Sequence, residues 1–234
     1  MLAMLLTGCR LGVVADVEVG SDGSGEVSVV LHLDEELLDE LDAIGVDPTA
    51  ELMTAAAEDT GEWTIERSFE EGIGMRLTLA REVDEPAGFG AALRELTADL
   101  SADDPGPVVD LEVTVADDGA ARVDGNAEFR SPATAGATLD GEPVGPSGAE
   151  LAASTADAVT SRVVVTFPGT IESSDADTVD GRTATWELEI GMPRALTAVA
   201  AAPSPFAGLL VPGLIAAALV IVFGGGVALV RRRR

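Results

Sequence analysis

The chain has no Lys and no Tyr, a single His (His32) and a single Cys (Cys9) in 234 residues. Each absence removes a class of chemistry. Without Lys there is no amine for a Schiff base. One His cannot supply a pair of imidazoles to a metal, and one Cys cannot close a disulfide within the chain. All 14 basic residues are Arg and face 41 Asp and Glu, for a formal net charge of −27. A chain this negative has nothing with which to neutralise phosphates, so nucleic acid is excluded as a partner. His32 falls on the face opposite Val29 and Leu31, with no nucleophile or orienting carboxylate marked beside it in sequence. No catalytic residue, metal ligand or cofactor site can be named, and the expectation is a protein that is not an enzyme.

Charge is also missing from one long stretch. Residues 206–230 read FAGLLVPGLIAAALVIVFGGGVALV without a charged side chain, and Arg231, Arg232, Arg233 and Arg234 follow. At about 1.5 Å per residue, such a run is long enough for a hydrocarbon core of about 30 Å. The expectation is one transmembrane helix, with the four arginines as a cytoplasmic anchor. The residues before it carry all 41 acids and ten Arg, a charge of −31, and are expected outside the membrane. At the other end, residues 1–9 read MLAMLLTGC. Leu6-Thr7-Gly8-Cys9 resembles the bacterial lipobox, in which the Cys thiol is lipidated. Residues 1–9 then act as a partial signal peptide, partial because no basic residue precedes the Cys.

Between the ends the dominant pattern is period-two alternation broken by Asp-Gly turns. Val13, Ala15, Val17 and Val19 alternate with Val14, Asp16 and Glu18. Ser21-Asp22-Gly23-Ser24-Gly25 turns the chain, and Val27, Val29 and Leu31 return it. The period then changes over residues 33–45, where Asp34 is an N-cap candidate and Leu37, Leu38, Leu41 and Ile44 share a helical face. Asp47-Pro48 opens a second helix to about residue 59. A hairpin joins residues 63–70 to 75–83, and residues 86–100 form a helix. Two strands flank Asp117-Asp118-Gly119. Residues 131–148 form a loop or insert, and residues 149–159 a short helix. Further strands cover residues 162–167 and 183–190, with a polar loop at 168–181.

The fold class expected is α+β: a curled, mostly antiparallel sheet of about eight strands with two to four helices, plus the C-terminal transmembrane helix. The extracytoplasmic domain spans residues 10–190, and an Ala/Pro tether spans 191–205.

Several short motifs in a fixed order resemble the LppM family of bacterial membrane-anchored lipoproteins. They are the lipobox Cys9, the strand–DG–strand opening, and the Trp63 hairpin with Gly72-Ile73-Gly74-Met75. They continue with Ala116-Asp117-Asp118-Gly119-Ala120, Phe167-Pro168-Gly169, Thr185-Trp186 and the apolar C-terminal run. The resemblance implies a mixed α/β envelope domain around an apolar cavity, with a lipid or glycolipid ligand. It implies no catalytic residues. Leu77, Leu79, Val113, Val165, Trp186 and Leu188 are the inward positions expected to line that cavity, and membrane lipid is the expected partner. The alternative is a structural or interaction module that presents its acidic surface to an envelope protein.

Two other features have plainer readings. Ser173–Gly181 holds Asp175, Asp177 and Asp180, but Val179 stands where a calcium loop needs an oxygen ligand, so a solvated loop is expected. Trp63, Trp186, Phe69, Phe89, Phe129 and Phe167 fall at period-two positions and are expected to pack in the core.

Overall fold

The structure, a computed structural model, describes residues 11–43, 63–70, 74–98, 106–130, 137–139, 142–144 and 158–204. Among them run thirteen strands and two helices. In chain order these are β1 (Leu11–Val19), β2 (Gly25–Leu33), α1 (Glu35–Ala43), β3 (Thr64–Glu70), β4 (Gly74–Val83) and α2 (Pro86–Ala98). They continue with β5 (Gly106–Val115), β6 (Ala121–Arg130), β7 (Ala137–Leu139), β8 (Glu142–Val144) and β9 (Val159–Thr166). The last are β10 (Ile171–Ser174), β11 (Thr178–Asp180), β12 (Thr183–Leu188) and β13 (Arg194–Ala200). The strands form a seven-stranded sheet in the order β11-β12-β9-β1-β2-β4-β3, a four-stranded sheet β10-β13-β6-β5, and the hairpin β7-β8.

The Asp-Gly turns set the first hairpins. Gly23 and Gly119 have φ of 86° and 83°, which only glycine adopts without strain. The preceding aspartates close each turn: Asp22 Oδ1 accepts the Ser24 N–H at 3.1 Å, and Asp118 Oδ1 accepts that of Ala120 at 3.0 Å. The Asp16–Ser28 and Thr114–Arg122 registers follow from them. Asp34 caps α1 by accepting the Leu37 N–H at 2.8 Å. Pro86 opens α2, where its missing N–H costs no helical bond.

β1 lies at the centre of the large sheet, antiparallel to β2 and parallel to β9. Its inward residues Val13, Ala15, Val17 and Val19 join one apolar cluster with Val109, Leu111 and Val113 of β5 and Leu196 and Ala198 of β13. The two sheets therefore share a core. α2 runs along β5 and turns Phe89, Ala92 and Leu93 into that core. The approach is close: a Cβ on Gly90 would lie 2.1 Å from the Leu111 carbonyl oxygen. The helix also covers an edge strand that would otherwise offer open backbone groups.

Several expectations are corrected. The class is mostly β rather than α+β, and one curled sheet of about eight strands is replaced by two sheets. The excess strands come from segments whose polar or Ala-rich composition hid them. β10 and β11 sit in the polar stretch 168–181, and β7 and β8 in the stretch 131–148. β13 (Arg194–Ala200) lies inside the segment expected to be a tether. It pairs antiparallel with β6 from Arg194↔Ala127 to Ala200↔Ala121. Its alternation is carried by Leu196, Ala198 and Ala200, where small side chains make a weak period-two signal. The expected transmembrane helix is not found: no helix among the described residues is long and apolar enough to cross a membrane. Residues 206–230, Cys9 and Arg231–Arg234 lie outside the described residues, as do the helix expected at 47–59 and most of the one expected at 149–159, whose last residue, Val159, instead begins β9.

Candidate functional site

The six expected cavity residues converge. Leu77 and Leu79 on β4, Val165 on β9 and Trp186 and Leu188 on β12 face inward from the large sheet, and Val113 faces them from β5 of the small one. All are between 0 and 8% exposed and belong to the shared cluster. Strand register explains this. Val165 pairs with Ala184 and with Val17, and Leu77 pairs with Leu31, so inward positions form continuous rows.

Ser161 belongs to one of these rows and was not anticipated. On β9 it precedes the buried Val163 and Val165 at period two, and it is 6% exposed. Its hydroxyl is buried without a hydrogen-bond partner. It is the only buried polar residue among the described residues. The signal was present in Ser161-Arg162-Val163-Val164-Val165, but a strand begun at Arg162 leaves Ser161 off the face.

Where the sheets meet, Ile190 makes a parallel bridge to Phe129, and the Gly191 N–H donates to the Phe129 carbonyl at 2.7 Å. Behind β12 the chain is pinned by Asp175. One oxygen of its carboxylate accepts the Trp186 indole N–H at 2.7 Å and the Thr197 N–H at 2.8 Å. Partial burial pulls the Asp175 pKa upward but is outweighed by these hydrogen bonds, so it lies below the usual aspartate value. Asp177 accepts from Arg194 at 3.0 Å and from the Glu187 N–H at 2.8 Å. The acidic loop thus spends two of its carboxylates on the protein's own donors.

The outward face of the large sheet is different. Glu18, Glu26 and Glu82 stand directly opposite one another on β1, β2 and β4, and Asp16 lies two residues before Glu18 on the same face. Burial first, then repulsion from Glu18 and Glu26, raises the Asp16 pKa above its usual value. Glu26 and Glu82 border an open groove of about 700 Å³, lined also by Thr64, Glu66, Thr78 and Asp84. A second groove, of about 440 Å³, runs past Arg122, Ser173 and Thr197 on the small sheet. None of the six expected cavity residues lines either of these grooves, but Val113 borders a third open groove of about 450 Å³, beside Arg94, Asp110 and Glu112.

His32 sits on this outward face, with Gly12 and Arg76 as its cross-strand neighbours, neither of them a nucleophile or a carboxylate. Among the described residues no group of three or more His, Cys, Asp or Glu is placed to hold a metal ion. Five of the six aromatics are buried as expected; Phe69 is 63% exposed. It lies on the edge strand β3, opposite Met75, with the Arg67 guanidinium 4.7 Å from its ring centre.

No protein family and no curated protein matches the chain. A solved structure is similar. It is the folded domain of LppM from Mycobacterium tuberculosis, determined by NMR, at 13% sequence identity and a TM-score of 0.44. The match covers 84% of this chain and 92% of that one.

Proposed function

We propose that the chain acts by binding and not by catalysis, as a cell-envelope domain that holds a lipid or glycolipid between its two sheets. The observation that carries this reading is the convergence of Leu77, Leu79, Val113, Val165, Trp186 and Leu188 in one interior shared by both sheets. An acyl chain gains about 25 cal/mol for each Å² of apolar surface it withdraws from water, and the six side chains facing this interior are apolar. Trp186 and Val165 are fully buried, so a ligand reaching them passes between the sheets. The negative exterior repels anionic headgroups and favours neutral ones. Full-length protein purified from its own cells and extracted with organic solvent should release a stoichiometric lipid. Absence of lipid, together with unchanged tryptophan fluorescence on adding envelope lipids, would overturn the reading.

A second reading is favoured by the opposed Glu18, Glu26 and Glu82. Like charges facing one another across a sheet are destabilising. In this reading the acidic face meets a basic surface of an envelope protein that neutralises them. Cross-linking in cells, lost on Glu26→Lys and weakened by salt, would support it over the lipid reading.

A further inference from the structure

We infer that Ser161 is the polar anchor of the interior and that it selects a neutral acyl ligand, an ester or an alcohol, over a fatty carboxylate. The inference rests on the reading of the interior as a lipid site.

A buried hydroxyl without a partner costs the fold about 1–3 kcal/mol, a cost that Ala or Val at the same place would avoid. Ser161 stands in an apolar row, with Val13 opposite it on β1 and Leu188 opposite it on β12. A ligand oxygen placed there would satisfy it. The hydroxyl both donates and accepts, so it can give a hydrogen bond to an ester carbonyl or take one from an alcohol. An ionised headgroup does not fit. The buried set among the described residues contains no Arg or His, so a carboxylate or phosphate would be desolvated with no counter-charge.

The position of Ser161 also fits a way in. Leu188, its partner on β12, lies two residues before Ile190, whose bridge to Phe129 ties the two sheets on this side. On the opposite side, α2 lies against β5 with Gly90 in close approach to Leu111. Beside that bridge the seam is held by the Gly191 N–H on the Phe129 carbonyl and by Asp175 and Asp177, exposed carboxylates that accept from Trp186 and Glu187 on β12 and from Thr197 and Arg194 on β13, so parting it means releasing these bonds. A chain sliding in at the seam would reach Trp186 and Val163, which pair with each other, with its polar end near Ser161.

The test titrates full-length protein with 1-monooleoylglycerol, oleate and 1-octadecene, each below its aggregation concentration, and reads tryptophan fluorescence. The wild type should bind monooleoylglycerol at least ten-fold more tightly than oleate. Ser161→Ala should lose about ten-fold for monooleoylglycerol with octadecene unchanged, while its urea midpoint stays level or rises, which shows that it folds. Ser161→Thr, which keeps a hydroxyl, should retain most of the affinity. Equal binding of monooleoylglycerol by wild type and Ser161→Ala overturns the anchor and leaves the interior reading standing. Tighter binding of oleate overturns the neutral-ligand selection. No binding of any of the three by wild type overturns both inferences.

Discussion

Carboxylates in two regions of this molecule meet opposite fates. In the loop between β10 and β11, Asp175 and Asp177 accept hydrogen bonds from Trp186, Thr197, Glu187 and Arg194. On the outward face of β1, β2 and β4, Glu18, Glu26 and Glu82 face one another in register, with Asp16 next to them. The chemical group is the same, and its surroundings decide the sign of its effect. Donors aimed at Asp175 stabilise its ionised form and lower its pKa, whereas burial and negative neighbours raise that of Asp16. A net charge of −27 is therefore not one property. Part of it is structural, and part is repulsion that the fold carries on one face.

The sharpest way to break the contrast is to remove the accepting carboxylate. Asp175→Ala leaves the indole N–H of the fully buried Trp186 and the Thr197 N–H without their acceptor. A loss of about 2 kcal/mol is expected in urea denaturation followed by tryptophan fluorescence, since solvent can reach the Asp175 side and satisfy part of the deficit. A double-mutant cycle with Trp186→Phe should return a coupling of about 1 kcal/mol; additive losses would show that the bond does not hold β12 in place.

Titration should separate the two regions by sign. The stabilisation from Asp175 is present above its usual value of 3.8 and is lost as pH falls through its lower folded value. Asp16 works the other way: its contribution is present below 3.8 and is lost as pH rises through its raised folded value. Asp16→Asn should therefore be the more stable protein at pH 7, by under about 1 kcal/mol at this partly exposed site, and should match wild type near pH 3. Asp175→Asn should be less stable at pH 7, with its deficit shrinking below pH 3.8. Thermal unfolding from pH 3 to 8 checks both; two profiles moving in the same direction would contradict the contrast.

Smaller effects test whether the glutamate row is truly repulsive. Glu26 stands between Glu18 and Glu82, so Glu26→Gln removes two unfavourable pairs and should gain about 0.5 kcal/mol at low salt. The gain should vanish in 1 M NaCl, where the screening length is about 3 Å. The smallest change is expected from Asp110→Asn, which breaks the exposed ion pair with Arg94 at 2.8 Å. Pairs of this kind contribute about 0–1 kcal/mol, so a shift in melting temperature near the detection limit is the expected result.

The strands and turns read correctly from sequence are those where one local rule suffices. Asp22-Gly23 and Asp118-Gly119 need only their own backbone bonds to form hairpins, and Asp34 needs only α1 to be its cap. Alternation of large apolar residues in β4, β5, β9 and β12 marked the inward faces, and the six interior positions followed from it. β10, β11 and β13 escaped because their alternation is written in Ser, Thr and Ala, which bury too little to declare a face on their own. They became strands because partners waited for them, β13 against β6 and β11 against β12. That pairing also turned one expected sheet into two.

By itself the sequence determined the lack of Lys and Tyr, the acidity, the turn positions and which side chains point inward, since each depends on composition or on a period of two. Only the tertiary structure decided that two sheets share one interior, that Ser161 lies inside it, and that Asp175 serves Trp186 while Glu26 faces Glu18 and Glu82. The physical reason is register. Residues far apart in sequence become neighbours only when strands pair, and a carboxylate helps or harms according to what that pairing sets opposite it.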